Sequence, residues 1–294
     1  MRPVSGSARR ARPLLGTFVE ITANGGPGAS IHEAIDAAFE AVARVHRLMS
    51  FHDPSSDLGR LNREASRRAV IVHPWTYAVL RAALDLHRAS DGLFDVTVAP
   101  VLQRLGRLPG EPRACRPAPP PAATDAGFEL LSAGRVRFRR PGVMIDLGGV
   151  AKGFAVDRAL ATLRRHGMTR GLVNAGGDLA AFGAAGELVA LRDPRHAAVV
   201  LGQVTVRNEA LASSGGGEAA IIDPRRVTPA GAVRGATVRA RSCLLADALT
   251  KLVMIAGEAA GPMLTRYGAS ALFLSARGEI HVTREWSARV RRAS

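Results

Sequence analysis

The stretch Ile145–Asp157, IDLGGVAKGFAVD, combines an apolar strand end, a pair of glycines and the start of a helical pattern. Glycines allow a backbone to approach a ligand closely. A helix N-terminus offers N–H groups and positive potential to a phosphate. Lys152 would add a point charge for the same phosphate, and Asp146 can accept hydrogen bonds from a ribose or a ring N–H. The stretch indicates a phosphate-binding turn, and a plain glycine turn with a surface lysine is the alternative.

The rest of the chain alternates between helical and strand patterns without a strict βαβ order. Helices are predicted at 31–49, 74–87, 150–166 and 244–256. Strands are predicted at 14–22, 128–131, 136–138, 143–146, 172–174, 188–191, 197–206, 236–240, 271–274 and 280–283. Such a mixture predicts an α+β fold.

A proline-rich segment at 108–127 interrupts these patterns, with six prolines within thirteen residues. Proline lacks a backbone N–H, so the segment is predicted to be an exposed loop. With 294 residues, the chain is predicted to form one catalytic domain over 14–284. A disordered basic tail at 1–13 and a basic C-terminal tail at 285–294 are expected to flank it.

The charge is strongly positive, at +15, and only two of the basic residues are lysines. Such a surface favours nucleic acid or small anionic ligands. The arginines are scattered and no recognition helix is evident, so nucleic-acid binding is kept only as a distant alternative. No apolar run is long enough to predict a membrane span. No signal peptide or lipobox is evident, and a cytoplasmic location is expected.

Common catalytic motifs are missing from the sequence. There is no GxxxxGK[ST] loop, no GxGxxG turn, no HExxH and no GxSxG. The two cysteines, Cys115 and Cys243, belong to no Cys/His cluster. A P-loop, a Rossmann site and a zinc or iron–sulfur centre are therefore not predicted.

Four other segments carry polar residues that would suit a ligand, and each has a plain structural alternative. They are Ser90–Pro100 (SDGLFDVTVAP), Val173–Asp178 (VNAGGD), Ala212–Glu218 with the IIDP that follows at 221–224, and Ala246–Lys251 (ADALTK). Phe94 suits either a planar ring or the core, and the glycines suit either an anion or a turn. Asp247 interrupts an apolar helix, where a carboxylate must bind a metal or pair with a residue such as Lys251, four positions on.

Taken in order, these segments resemble the ApbE-type FAD:protein FMN transferase family. The similarity runs from about Leu14 to Ala256. It rests on LLGTFVEI, MSFHDPSSDLGRLN, GLFDVTVAP, IDLGGVAKGFAVDRA, NAGGDLAAFG, SSGGGE, IIDPR and ADALTK. Each segment alone is weak, whereas the ordered set is specific.

The resemblance implies an ApbE-like, T-fold-related α+β architecture of mixed sheets packed with helices. It also implies that FAD is the substrate, that Mg²⁺ touches its pyrophosphate, and that AMP leaves. The FMN half would pass to a Thr or Ser hydroxyl of a target flavoprotein. The FAD contacts implied are Leu15, Phe51, Leu93, Phe94, Asp95, Asp146, Lys152 and Ile222. The backbone oxygen of Gly149 and the carboxylate of Asp247 would bind the metal, and Asp247 and Lys152 would be catalytic.

The resemblance fails at several positions on the metal side. Lys251 stands where the family usually has a threonine, and Ala220 stands where it usually has a histidine. The connection from SSGGGE to IIDP is nearly absent, and Arg226-Val227 replaces the usual Thr-Gly. An active FMN transferase is still favoured, and a catalytically impaired FAD-binding relative is the alternative.

Overall fold

A computed structural model describes residues 6–26, 30–110, 125–193, 198–215, 221–287 and 290–291. The chain divides into two compact units. Unit 1 comprises Met1–His46, Lys152–Gly216 and Ala232–Ser294, and unit 2 comprises Arg47–Ala151 and Gly217–Gly231. The single catalytic domain that the sequence predicts over 14–284 stays a prediction beside this division.

The described residues contain eight α-helices and two short 3₁₀ turns. The helices are α1 (Ile31–Met49), α2 (Asp57–Glu64), α3 (Pro74–Ala89), α4 (Ala99–Arg104), α5 (Ala151–Arg165), α6 (Cys243–Ala256), α7 (Gly261–Arg266) and α8 (Arg284–Ser287). The 3₁₀ turns are Val96–Val98 and Gly257–Ala260. All four predicted helices are confirmed, and α1 has the predicted bounds.

Sixteen strands are present among the described residues. They are β1 (Ser7–Leu14), β2 (Thr17–Gly25), β3 (Val70–Ile71), β4 (Phe128–Leu131), β5 (Arg135–Phe138), β6 (Met168–Ala175), β7 (Asp178–Phe182), β8 (Glu187–Arg192), β9 (Val200–Val206), β10 (Glu209–Gly215), β11 (Ile222–Asp223), β12 (Thr228–Pro229), β13 (Val233–Ala240), β14 (Ser270–Ser275), β15 (Ile280–Val282) and β16 (Val290–Arg291). Together with the helices they confirm the α+β fold class.

Unit 1 is built on an eight-stranded antiparallel sheet in the order β1-β2-β6-β7-β10-β13-β14-β15. Buried and less buried residues alternate along β2, which explains why this segment forms a strand of the sheet. Val19, Ile21 and Ala23 are fully buried, whereas the side chains between them are not. Helix α6 packs on β7, β10 and β13. This packing places the apolar face of α6, and Asp247 with it, inside unit 1.

The disordered tail predicted at 1–13 is wrong over residues 7–13, whereas the basic C-terminal tail predicted at 285–294 stays a prediction. Strand β1 pairs along its whole length with β2, and Arg10 and Arg12 both contact Asp36 of α1. Near the other end, the Trp286 side chain is fully buried. Partners supplied by the rest of the chain order the basic segment 7–13, which composition alone does not reveal.

A smaller sheet, β8-β9-β16, also belongs to unit 1. Its apolar residues join those of β7 and β10 around Trp286 in one cluster. The buried members are Leu179, Ala181, Leu191, Val204, Val206, Leu211 and Trp286. Arg239 is buried beside them, where it pairs with Glu209 and lies over the Trp286 ring. This cluster is structural and carries no sequence-predicted site residue.

Unit 2 holds α2, α3, α4 and two small antiparallel sheets, β3-β5-β4 and β11-β12. The strand predicted at 143–146 is wrong. Its backbone groups bond elsewhere: the Asn62 side chain accepts from the Ile145 N–H and donates to the Ile145 carbonyl, and Asp146 N–H donates to Val96. Of the proline-rich loop, residues 111–124 lie outside the described residues.

The turn between β1 and β2 offers a stability test. Leu15 and Gly16 both have positive φ, of 56° and 71°, as in a type I′ turn, which favours Asn-Gly. A leucine in the left-handed region costs roughly 1 kcal/mol. Leu15→Asn is expected to raise the free energy of unfolding by about 0.5–1 kcal/mol in urea titrations.

Thr17→Asn is the control, since Thr17 already belongs to β2 and has no positive φ. A loss of stability in Leu15→Asn would contradict the turn geometry.

Candidate functional site

The strongest polar cluster in unit 1 starts at Lys152, in the first turn of α5. Its ammonium lies 2.5 Å from Oδ2 of Asp178, the first residue of β7. The Lys152 side chain is 32% exposed, whereas that of Asp178 is 1% exposed. The buried Asp178 carboxylate, held by the sheet, therefore positions the partly exposed ammonium of Lys152.

The second half of the cluster is Asp247, fully buried on α6. Its Oδ2 accepts the N–H of Gly153 at 3.1 Å, and its Oδ1 pairs with the ammonium of Lys251. The ion pair with Lys251 that the sequence offered as an alternative is confirmed. Lys251 also reaches the hydroxyls of Ser214 at 3.1 Å and Thr250 at 3.2 Å.

Helix α6 is fixed to α5 by Asp157. The Asp157 carboxylate accepts the N–H groups of Cys243 and Leu244 at 2.8 and 2.9 Å, and Ser242 caps the next N–H, that of Leu245. These contacts satisfy N–H groups that a helix start leaves unpaired. Burial raises the pKa of Asp157 to about 6, although both N–H bonds oppose the shift. The anchoring sets Asp247, one turn later, against the backbone of Gly153.

Burial and neighbouring charge shift the pKa of both members of the first pair. Burial raises the pKa of Asp178 to about 6, and the charge of Asp247 adds to this while Lys152 opposes it. Burial also acts to lower the pKa of Lys152, but the charges of Asp178 and Asp247 outweigh it and the pKa is raised. Lys152 is therefore a cation at neutral pH.

One oxygen of this cluster lacks a partner. Oδ1 of Asp178 is buried and accepts no hydrogen bond from the residues that the structure describes. A buried polar atom without a partner is costly and is often satisfied by a ligand. Asp178 ends the segment VNAGGD but was not among the predicted site residues. The signal available was an aspartate directly after Gly-Gly at the start of an apolar strand.

In unit 2, the loop after α3 carries Leu93, Phe94 and Asp95. The imidazole of His87 contacts the Phe94 carbonyl at 3.1 Å, and Ser90 Oγ accepts the Phe94 N–H at 2.9 Å. Phe94 is only 4% exposed, so most of its ring packs in the core. Leu93 is half-buried beside it.

The segment after β11 meets the same loop. Arg225 donates to the carbonyls of Ser90 and Asp91 at 3.2 and 3.0 Å. Asp91 has a positive φ of 50°, a conformation that an L-residue adopts at a cost and that concentrates at functional sites. The IIDPR and SDGLFD segments, which the sequence offered separately, are thus brought together within unit 2.

A backbone hydrogen bond links Asp146 to Val96, the residue that follows Asp95. Asp95 accepts the N–H and hydroxyl of Thr97, both at 2.7 Å, and burial raises its pKa. Asp146 N–H donates to Val96 at 2.8 Å. Both aspartates are half-buried. Asn62 supports this arrangement through its hydrogen bonds to Ile145. It was not among the predicted site residues, and its only signal was its place in the segment MSFHDPSSDLGRLN.

The predicted site residues thus form two groups. Leu15, Lys152 and Asp247 belong to unit 1, whereas Phe51, Leu93, Phe94, Asp95, Asp146, Gly149 and Ile222 belong to unit 2. Within unit 1, Lys152 and Asp247 are close neighbours, as the sequence predicted. Ile222 is 5% exposed and its side chain is mainly core. Residues 216–220, with part of SSGGGE and Ala220, lie outside the described residues.

Two parts of the expected phosphate and metal chemistry do not fit the described residues. At the start of α5, the N–H groups of Ala151 and Gly153 are already bonded, to Leu147 and Asp247. Both oxygens of Asp247 are occupied, one of them by an ammonium, so this carboxylate does not suit a divalent cation or a proton-accepting role. No three His, Cys, Asp or Glu side chains in the described ranges form a metal-binding group.

Comparisons with known proteins all point to one family. A model of the ApbE family matches residues 15–273. An FAD:protein FMN transferase of Rhodobacter capsulatus is 31% identical over 94% of this chain and 57% of the relative. One of Treponema pallidum is 29% identical over 59% and 51%. The chain thus spans little more than half the length of these relatives.

A solved structure gives the same result. The crystal structure of an ApbE protein from Thermotoga maritima superposes with a TM-score of 0.86 at 25% identity. The match covers 97% of this chain and all of the other. The element order described above is therefore that of a known fold.

Proposed function

The chain belongs to the ApbE family, and on that basis we propose that it transfers the FMN half of FAD to a Thr or Ser hydroxyl of a target flavoprotein. AMP is the other product. Support comes from the curated relatives named FAD:protein FMN transferase and from the Lys152–Asp178 pair within unit 1.

The observation that carries the proposal is the Lys152–Asp178 pair. A buried carboxylate holds a partly exposed cation in one position, at the glycine turn where a phosphate was expected. An ordered cation stabilises a diphosphate better than a mobile surface lysine because less side-chain freedom is lost on binding. The Lys152 side chain, rather than the N–H groups at the start of α5, is therefore what suits an anionic ligand.

The reaction has a simple bond balance. The acceptor hydroxyl oxygen attacks the phosphorus on the FMN side, and a new P–O ester bond forms there. The P–O bond to AMP breaks, and AMP leaves with the bridging oxygen and its electron pair. The hydroxyl proton is released. Catalysis of such transfers consists mostly of positioning and charge neutralisation, and Lys152 supplies both.

The remaining predicted contacts are proposed to hold the other parts of FAD. Leu15, Phe51, Leu93, Asp95 and Asp146 stay predicted FAD contacts, and each of them is half-buried. Phe94 and Ile222 would support these residues from the core. Asp247 is proposed as a positioning residue that holds Gly153 and Lys251, rather than as a base. Magnesium assistance, which the family resemblance implied, stays a prediction, and no step is derived from it.

The test is incubation of the full chain with FAD and a panel of flavoproteins. Transfer gives in-gel flavin fluorescence on one flavoprotein together with an equal amount of AMP. Replacing the acceptor Thr by Val should abolish both products. FAD binding without AMP would support the alternative of an impaired relative, and no FAD binding would contradict both functions.

The pKa of Asp178 leads to a pH prediction. Protonation of Asp178 leaves the Lys152 charge uncompensated, so an anionic diphosphate should bind more tightly as the pH falls through about 6. Asp247 and Lys251 also face Asp178, and their mutual ion pair keeps their combined charge near zero. FAD affinity in flavin fluorescence titrations should rise several-fold between about pH 8 and about pH 5.

Asp178→Asn mimics the protonated state. It should bind FAD about as tightly at pH 8 as the unmodified chain does at pH 5, with little remaining pH dependence. Asp85→Asn, on the exposed face of α3, serves as the matched control. If FAD affinity depends on pH in the same way in Asp178→Asn and in the unmodified chain, the charge of this carboxylate does not influence FAD binding.

A further inference from the structure

Lys251 is a nearly buried cation, with its side chain 17% exposed. Its ammonium has three oxygen partners within unit 1: Asp247 Oδ1, Ser214 Oγ and Thr250 Oγ1. An ammonium has three N–H donors, so all three are used. The hydroxyl of Thr250 is fixed in turn by the Asp247 carbonyl at 2.7 Å. The position of this cation is therefore set by its surroundings.

The carboxylate of Asp247 already has a partner for each of its two oxygens. It is fully buried, with one oxygen bonded to Lys251 and the other to the Gly153 N–H. A buried carboxylate must be paired, and this pairing is complete. A divalent cation at Asp247 would have to displace the ammonium, because two positive groups repel each other strongly in a poorly solvated site.

The charges of the whole cluster also balance without a metal. Lys152 neutralises Asp178, and Lys251 neutralises Asp247. The two carboxylates sense each other, since the charge of Asp247 contributes to the raised pKa of Asp178. Both ammonium groups act on Asp178, since the charge of each opposes the raised pKa of that carboxyl.

We infer that the Lys251 ammonium takes the place beside Asp247 that a divalent cation would need, so that this chain binds the diphosphate of FAD without a divalent metal. The inference rests on the proposed function for its ligand. It identifies Lys251 as a further positioning residue, acting through Asp247 and Gly153 on the turn that carries Lys152.

Two measurements on the full chain test it. The first is the FAD dissociation constant, by flavin fluorescence, in EDTA and in excess Mg²⁺. The two values should agree within about twofold. The second is Mn²⁺ binding without FAD, followed by the EPR signal of the free ion. The unmodified chain should leave Mn²⁺ free at concentrations up to about 1 mM.

Lys251→Thr removes the ammonium and leaves Asp247 open with a hydroxyl beside it. This variant should bind Mn²⁺, and its FAD affinity should be at least about tenfold weaker in EDTA than in Mg²⁺. Lys251→Met removes the charge without adding an oxygen, and its FAD affinity should fall in both buffers. Arg266→Met, at an exposed position of unit 1, controls for the loss of one positive charge.

The inference is overturned if the unmodified chain binds Mn²⁺ below about 0.1 mM, or if EDTA weakens its FAD affinity about tenfold or more. It is also overturned if Lys251→Thr folds and remains indifferent to metal. A chain that binds no FAD in either buffer and releases no AMP contradicts the proposed function instead. The Mn²⁺ measurement needs no FAD and still decides whether the ammonium excludes a dication.

Discussion

Lys152→Ala is expected to weaken FAD binding by about 10- to 100-fold and to reduce AMP release by at least as much, because a charge-assisted contact is worth roughly 1.5–3 kcal/mol. The substitution removes the one member of the Lys152–Asp178 pair that reaches solvent. It also removes the ion-pair partner of the buried Asp178 carboxylate, which lies near the charge of Asp247. Isothermal titration with FAD and chromatography of released AMP measure the two effects.

Two controls separate binding from folding. Arg165→Ala removes a positive charge from the last turn of the same helix, at an exposed position, and should leave FAD affinity within about twofold. The double variant Lys152→Ala/Asp178→Asn removes the uncompensated carboxylate and should recover thermal stability without recovering affinity. If Lys152→Ala binds FAD as well as Arg165→Ala does, Lys152 is not a ligand contact.

Gly153→Ala is expected to lower the free energy of unfolding by about 3 kcal/mol, the upper part of the range for overpacking in a tight core. A Cβ at Gly153 would lie 2.3 Å from the Cys243 carbonyl oxygen and 2.8 Å from the Leu244 nitrogen. These are backbone atoms at the start of α6, which Asp157 holds in place. The helices would have to separate, and the Gly153–Asp247 hydrogen bond would be lost.

Thermal unfolding of purified protein measures this cost, and FAD titration of any folded fraction measures the damage to the site. Gly261→Ala is the matched control. Gly261 begins α7, and a Cβ there meets no atom within 4 Å. Alanine favours helix by about 1 kcal/mol over glycine in a helix interior, so this variant should be neutral or slightly more stable. Equal stability of the two variants would contradict the close contact between α5 and α6.

Local patterns were enough to predict the four longest helices and nine of the sixteen strands in the described residues. The periodicity of α1 predicted both of its ends, and Pro74 marked the start of α3. The pattern at 143–146 was misleading because an apolar run looks the same whether a strand or the Asn62 side chain bonds its backbone. The basic residues of β1 likewise look like a tail until β2 and Asp36 are seen beside them.

The candidate site was predictable in part for the same reason. A glycine turn before a lysine and a carboxylate in an apolar helix are visible in sequence, and they meet in unit 1. The roles of Asp178 and Ser214 were not predictable. They depend on β7 and β10 lying side by side in the sheet, and a one-dimensional pattern contains no information on which distant strands become neighbours.

The sequence by itself determined the four longest helices, about half of the strands, the α+β class and the family to which the ordered segments belong, because periodicity, turn chemistry and motif order are local properties of a chain. Only the tertiary structure decided the partners of the buried charges: Lys152 with Asp178, and Asp247 with Lys251 and Gly153. The physical reason is that a buried charge must be neutralised within a few ångströms. Whether a metal or an ammonium does so depends on which side chains folding brings to that place.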